Sequence, residues 1–323
     1  MTIDQRDRVL ELLDSGSTYL VVTHENPDGD AIGSALAMTL ALRGRGKQAT
    51  TCDVHGCPQY LRWLAGATEI VSEATLADYD VVVVIDCGEA ARMGKLVEQL
   101  RNHPCVINID HHGTNDGFGH ANIVLPKASS SSEILFTLFR QWGVTITPDI
   151  ATNLYVGLYT DTNMFKNMNS TPEAYRACGD LVAAGADFHT AAKRIYIDTS
   201  AARLRLLARV LSTLRLDADG RIAGMICTGE DLNELGLTPD ALETFVEYPR
   251  AIVGVEAAYL LRELKEKGQV KGSLRSTNNA DVAAVAQQFT GGGHTRAAGF
   301  RATGTLAEVR ERLVAALHAA LEG

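Results

Sequence analysis

At 323 residues the chain is long enough for two domains, and 46% apolar residues supply a core for each. With 21% charged and 6% aromatic residues it is neither disordered, collagenous nor a disulfide scaffold. Of the net charge of −9, −8 falls in Met1–Arg194 and −1 in the remainder, so tracking along a duplex phosphate backbone is not expected.

The N-terminal stretch MTIDQRDRVLELLD is charged throughout, and no window reaches the ~18 uninterrupted apolar residues of a membrane span. The expectation is a cytoplasmic protein with no membrane partner. Six cysteines (Cys52, Cys57, Cys87, Cys105, Cys178, Cys227) form no CxxC pair and read as reduced thiols. No internal repeat is present.

In chain order, Leu20–Thr23 reads as a strand, Ala31–Leu42 as a helix, Gln48–Val54 as a strand and Val81–Ile85 as an unbroken Val/Ile strand. A helix near Gly94–Arg101 and a strand at Cys105–Ile109 follow. Continuous apolar strands separated by helices predict a parallel sheet covered on both faces. Helices are expected at Ser132–Trp142, Pro148–Tyr159 and Pro172–Ala184, the last opened by a capping Ser-Thr-Pro. An Arg/Leu-rich amphipathic helix at 199–214 reads as a connector. Beyond it, strands at Arg221–Cys227, Gly254–Leu264 and Gln269–Arg275 accompany helices at Asp240–Glu247, Ala280–Phe289 and Leu306–Leu321. The fold class is α/β: a doubly wound, mostly parallel sheet over 1–194, a connector at 195–215, and a smaller α/β domain over 216–323.

Four polar clusters fall in the first domain: His24 with Asp28 and Asp30 in HENPDGDAIGS, Asp86 closing Val81–Ile85, Asp110-His111-His112 closing the next strand, and Asp161 in YTDT at a helix end or turn. Open parallel sheets bind ligands at the carboxyl ends of their strands, where the first three stand. Alone, an Asp after a strand is usually a helix cap and a His pair usually a solvated loop. In combination, converging carboxylates repel one another unless cations intervene, and imidazole with carboxylate suits manganese, zinc or iron. Two divalent metal ions are expected.

HENPDGDAIGS, VVVVIDCGEAARMG, NIDHHGT and YTDT resemble, in this order, the four motifs of the DHH phosphoesterase superfamily. The segments Gly272-Ser273-Leu274-Arg275-Ser276 and GGGHTRAAGF (291–300) resemble its associated C-terminal domain. Segments such as Ser129–Leu135 and Gly254-Val255-Glu256 look most like the nanoRNase/pAp phosphatase subfamily. The resemblance implies that His24 and Asp28 hold one manganese ion, that Asp30, His111 and Asp161 hold the second, and that Asp86 bridges both. Asp110 would orient a histidine, and His112 would stand beside the scissile phosphate. In the second domain, Arg275, Ser276, Gly291, Gly292, Gly293 and His294 would contact the nucleotide. Arg92 is readable as a phosphate contact or as a surface ion pair.

Two departures stand out: Asn163 follows YTDT where relatives commonly carry glycine, and Thr290 precedes the glycine triplet where a fourth glycine is common. The implied activity is manganese-dependent hydrolysis of short oligoribonucleotides to 5′-mononucleotides, with removal of the 3′-phosphate of adenosine 3′,5′-bisphosphate as a further activity. Hydrolysis of cyclic dinucleotides such as c-di-AMP, or of linear pApA, is the alternative; a nucleotide sensor without turnover ranks below it. The partners implied are short single-stranded RNA or a small nucleotide, no duplex DNA, and a second copy of the chain in a homodimer.

Overall fold

A computed structural model of the chain describes residues 3–197, 199–264, 266, 268–277 and 280–322, with the backbone alone at Ile3, Asp4, Ile197 and His294. It divides into two compact units, Met1–Asp198 and Thr199–Gly323.

The first unit runs α1 (Ile3–Ser15), β1 (Thr18–Val22), α2 (Gly29–Gly44), β2 (Gln48–Cys52), β3 (Val81–Ile85), α3 (Val97–Leu100), β4 (Val106–Asp110), β5 (Ala121–Val124), α4 (Ser131–Trp142), α5 (Pro148–Asp161), α6 (Pro172–Ala183) and α7 (Phe188–Ala192). The strands form one parallel sheet in the order β2-β1-β3-β4-β5. The unbroken Val/Ile run of β3 is wholly buried because both of its faces are covered. Val83 and Ile85 join one core with α2, α4 and α5, and Val82 and Val84 join a second with Leu96 and Leu100. Strand order reverses direction between β1 and β3, the place where such sheets open a crevice at their carboxyl ends.

Helices α2 and α5 lie almost backbone to backbone. A side-chain carbon at Gly33 would fall on the Asn153 carbonyl, and one at Gly157 on Ser132 and the Asp30 carboxylate. This close approach carries the end of α5, with Asp161, to the beginning of α2, with Asp30.

The second unit contains α8 (Ala201–Ser212), β6 (Arg215–Asp217), β7 (Ile222–Cys227), α9 (Gly229–Glu234), α10 (Glu247–Arg250), β8 (Ala257–Glu263), β9 (Gln269–Ser276), α11 (Val282–Gln287), β10 (Gly292–His294), β11 (Ala297–Thr303) and α12 (Leu306–Glu322). Its sheet, β10-β11-β9-β8-β7-β6, is antiparallel apart from the parallel pair β7 and β8. One face is filled by α11 and α12 through Val285, Val309 and Leu313. On the other, Ala258 and Leu260 of β8 lie under Leu206, Val210 and Phe245. The connector helix α8 is thus a packed part of the second unit.

Several predicted elements change. The helix expected at Asp240–Glu247 is a short turn, Pro239–Leu242, followed by the separate α10, because Thr244 takes a positive φ of 72°. The helix expected from Gly94 begins only at Val97, since Gly94 has φ 57° and ψ −130°. The glycine-rich segment, to which no strand is assigned from the sequence, forms the β10–β11 hairpin.

Both departures from the family pattern fall on left-handed backbone, Asn163 at φ 48° and Thr290 at φ 63°. Asparagine tolerates this region, whereas a β-branched residue there is strained. Thr290 is exposed, so Thr290→Gly removes strain without opening a cavity. Thermal denaturation should show the variant more stable by about 1 kcal/mol, strain relief outweighing the added freedom of the unfolded chain. An unchanged or lower melting temperature would contradict the assignment of strain.

Candidate metal centre

The carboxyl ends of β1, β3 and β4 converge on Asp86. It follows β3 directly, takes a left-handed φ of 60°, and is held there by its N–H bond to the Ile109 carbonyl. Its carboxylate is buried, at 2% exposure. Two groups of donor atoms share it: His24, Asp28 and Asp86, and Asp86, His111 and His112, the atoms of each lying within 4.8 Å of one another. His24 Nε2 stands 3.8 Å from Asp86 Oδ2, and His111 Nε2 stands 3.5 Å from Asp86 Oδ1 and 4.0 Å from Asp161 Oδ2.

Asp28 caps α2, its Oδ1 accepting from the N–H groups of Asp30 and Ala31. Asp30 belongs to neither compact group. Its two oxygens accept the N–H groups of Ser131 at 2.6 Å and Ser132 at 3.0 Å, so the N-terminus of α4 neutralises part of its charge. The Ser131 hydroxyl donates to Asp86 Oδ1 at 2.9 Å. Asp161 accepts from Asn169 at 2.9 Å. His112 Nδ1 lies 2.7 Å from Asp110 Oδ1, and Asn115 donates to the other oxygen of the same carboxylate at 2.7 Å. An ionised Asp110 can only accept, so the His112 proton rests on Nδ1 and Nε2 is the basic nitrogen.

The electrostatics fit divalent cations. Burial pushes the Asp86 carboxyl well above the ordinary carboxylate range, and Asp30, Asp28, Asp161 and Asp110 add to the shift. Burial also raises Asp30, and it lifts Asp161 to about 7, with His111 working against both shifts. Burial opposes charge on His111, yet Asp161, Asp30 and Asp110 outweigh it and raise the imidazole. Asp110 goes the other way: burial works against its charge, but the His112 and Asn115 bonds hold it below the usual range. Buried carboxylates gathered this tightly are stable as anions only beside positive charge, and a mixed carboxylate and imidazole set suits first-row divalent ions.

Of the residues expected here, His24, Asp28, Asp30, Asp86, Asp110, His111, His112 and Asp161 do meet at one sheet edge. Arg92 is half-buried, and among the described residues it makes no ion pair: its guanidinium lies 3.1 Å from His24 Nδ1, which also stands 2.9 Å from the Glu25 carbonyl. The sequence reading missed Ser131 and Ser132. The signal was present, since Ser130 with Glu133 marks a helix start whose free N–H groups need acceptors. In the second unit Ser276 is a correction: it is 1% exposed on the face that packs against α11, not open to a ligand, with its hydroxyl 3.5 Å from the Thr295 carbonyl. Arg275 pairs with Glu247 at 3.0 Å. Gly291 and Gly293 serve close packing, since side chains there would strike Gly299, Phe300 and Ala298, whereas Gly292 has no neighbour on its side. The side chain of His294 lies outside the described residues.

Sheet order, switch-point position and donor set together define a two-unit α/β protein with carboxylates and imidazoles positioned to hold metal at the sheet edge. The chain belongs to the DHH family of phosphoesterases: residues 18–158 match the DHH family N-terminal domain and residues 222–323 the DHHA1 domain. A Thermus thermophilus protein named bifunctional oligoribonuclease and PAP phosphatase NrnA is 34% identical over 300 residues, 92% of this chain and 88% of that one. The crystal structure of an exopolyphosphatase-related protein from Bacteroides fragilis superposes with a TM-score of 0.94 at 28% identity, covering 100% of this chain and 98% of that one. The structure of Thermus thermophilus RecJ in complex with Mn2+ shares the fold at a TM-score of 0.59 and 14% identity, covering 100% of this chain and 55% of that one.

Without metal, the carboxyls raised above their unfolded value bind protons more readily in the folded chain. Their contribution is therefore present at low pH and lost as pH rises from about 4, the unfolded value, to about 7, the folded value of Asp161. The melting temperature of the chelated protein should fall across that window. With saturating Mn2+ it should rise instead, because the ion binds the deprotonated ligands of the folded state. Parallel pH profiles with and without metal would contradict a cation site at these carboxylates.

Proposed function

We propose that the protein is a manganese-dependent phosphohydrolase of short oligoribonucleotides that releases 5′-mononucleotides and also removes the 3′-phosphate of adenosine 3′,5′-bisphosphate. The observation that carries the reading is the buried Asp86 carboxylate, with His24 and Asp28 grouped on it from one side and His111, itself 4.0 Å from Asp161, from the other. The name borne by the Thermus thermophilus relative supports the substrate class, and the Mn2+ of the RecJ structure supports the ion.

His24 and Asp28 would hold one ion, Asp30, His111 and Asp161 the other, with Asp86 common to both. Two divalent ions, when bound, supply a water of lowered pKa and positive charge for the phosphoryl oxygens. The chain's own residues do the rest. The α4 N-terminus and the Ser131 hydroxyl fix Asp30 and Asp86 in orientation. Asp110 keeps the proton of His112 on Nδ1, so Nε2 can accept or, once protonated, donate at the scissile phosphate. Arg275 and the β10–β11 hairpin would contact the nucleotide, and the working form would be a homodimer.

The test is kcat/KM of the Mn2+-loaded enzyme on ribonucleotides from two to twenty residues, adenosine 3′,5′-bisphosphate, and duplex DNA. The account expects the highest values at about two to five nucleotides and none on the duplex, because added phosphates meet an acidic first unit. Arg275→Ala should lower kcat/KM on dinucleotides with bound metal unchanged. A rate that keeps rising beyond ten nucleotides would overturn the short-substrate reading.

A further inference from the structure

Two carboxylates of the centre are held by one short piece of chain, the serine run 129–132 at the start of α4. The Ser131 and Ser132 N–H groups bond Asp30, and the Ser131 hydroxyl bonds Asp86. Asp161, at the end of α5, meets the same run through Asn169. The Asn169 amide donates from Nδ2 to Asp161 Oδ2 at 2.9 Å and to the Ser129 carbonyl at 2.9 Å, with the Asp161 carbonyl at 3.4 Å. All three groups are acceptors, so the amide nitrogen and not its oxygen must face them.

The chain reaches this arrangement against local preference. Beyond Asp161 it turns back on itself, and Asn163, Met164 and Phe165 take φ of 48°, 59° and 60° in succession. Asparagine tolerates the left-handed region, whereas methionine and phenylalanine are disfavoured in it. The turn is secured by the Thr162 hydroxyl, which accepts the Phe165 N–H at 3.2 Å, and by the Phe165 ring, stacked on Tyr175 of α6 with centroids 4.5 Å apart. At its far end Asn169 Oδ1 is buried and, among the described residues, has no hydrogen-bond partner. An unbonded buried oxygen and a run of left-handed residues both lower stability. Ending a helix requires neither, since Asn167 also donates to the Asp161 carbonyl, at 3.2 Å. Where such costs gather around one side chain, function is the usual reason.

Exposure shows which ligand needs the support. Burial confines Asp30 and Asp86, at 1% and 2% exposure, but the Asp161 side chain is 25% exposed. The oxygen that Asn169 holds is also the one that stands 4.0 Å from His111 Nε2. Without Asn169, Asp161 is free to visit other staggered rotamers, and ordering it again on metal binding costs side-chain entropy.

We infer that Asn169 is a positioning residue for the second ion: its amide ties Asp161 to the serine run that fixes Asp30 and Asp86, so that ligands from three separate elements keep one spacing. The inference rests on the two-ion reading above and names what sets the affinity of one of the two ions. The strained turn 163–165 serves to fold the chain back so that Asn169 meets Asp161.

The experiment is calorimetric titration of the chelated protein with Mn2+ for wild type, Asn169→Ala, Asn169→Leu and Asn167→Ala, with melting temperatures of the metal-free proteins to confirm folding. Leucine is close to asparagine in shape but lacks its donors, so it keeps the test open if the alanine variant fails to fold. Wild type should take up two ions. In both Asn169 variants one ion should bind about tenfold more weakly and the other as in wild type, and Asn167→Ala should match wild type. On bis-p-nitrophenyl phosphate, kcat of the Asn169 variants should be low at the Mn2+ concentration that saturates wild type and recover when Mn2+ is raised; a merely structural defect would not recover. Unchanged affinity for both ions, or equal weakening of both, would overturn the positioning role. If wild type takes up a single ion, the two-ion reading fails by itself. Weaker binding of that ion in the Asn169 variants then still upholds the role of Asn169, and unchanged binding removes it.

Discussion

Like-charge repulsion around Asp86 is the constraint on which the rest of the first unit depends. A buried carboxylate at the mouth of a parallel sheet, ringed by Asp28, Asp30, Asp110 and Asp161, is costly in an empty site and favourable beside cations. Each supporting element reduces that cost in a particular way. The α4 N-terminus donates two N–H groups to Asp30, Asn169 donates to Asp161, and His112 with Asn115 satisfies Asp110. The backbone contact of α2 and α5 at Gly33 and Gly157 brings the carboxylates close enough for the problem to arise. The fold thus holds its acids together and leaves the remaining charge for metal ions to balance.

The second unit solves the opposite problem. Its sheet spends one face on a core with α11 and α12 and half of the other on α8 and α10, which leaves β9 and β11 with an exposed strip that bears cations and small residues.

Much of this was legible in the sequence because it follows from pattern. The Val81–Ile85 run announces a strand buried on both faces, and polar residues after successive strands announce the site. Helix boundaries at Pro148 and Pro172 are readable from their caps. What escaped depends on contacts between distant segments. The short strand Ala121–Val124 has little periodicity of its own and owes its place to pairing with β4. Ser131 meets Asp30 across about a hundred residues, and Ser276 turns inward because the alternation of β9 sets its face. Thr244 and Gly94 break expected helices through backbone angles that composition does not disclose. Asn163 and Thr290, noticed as departures, acquire a physical meaning only once both are seen on left-handed backbone.

The central claim is that one buried carboxylate serves two cations, and counting bound ions tests it most directly. Elemental analysis of the purified protein dialysed against Mn2+, compared with Asp86→Ala treated in the same way, should give two ions per wild-type chain and fewer than one in the variant. A single ion in wild type, or two retained without Asp86, would contradict the account.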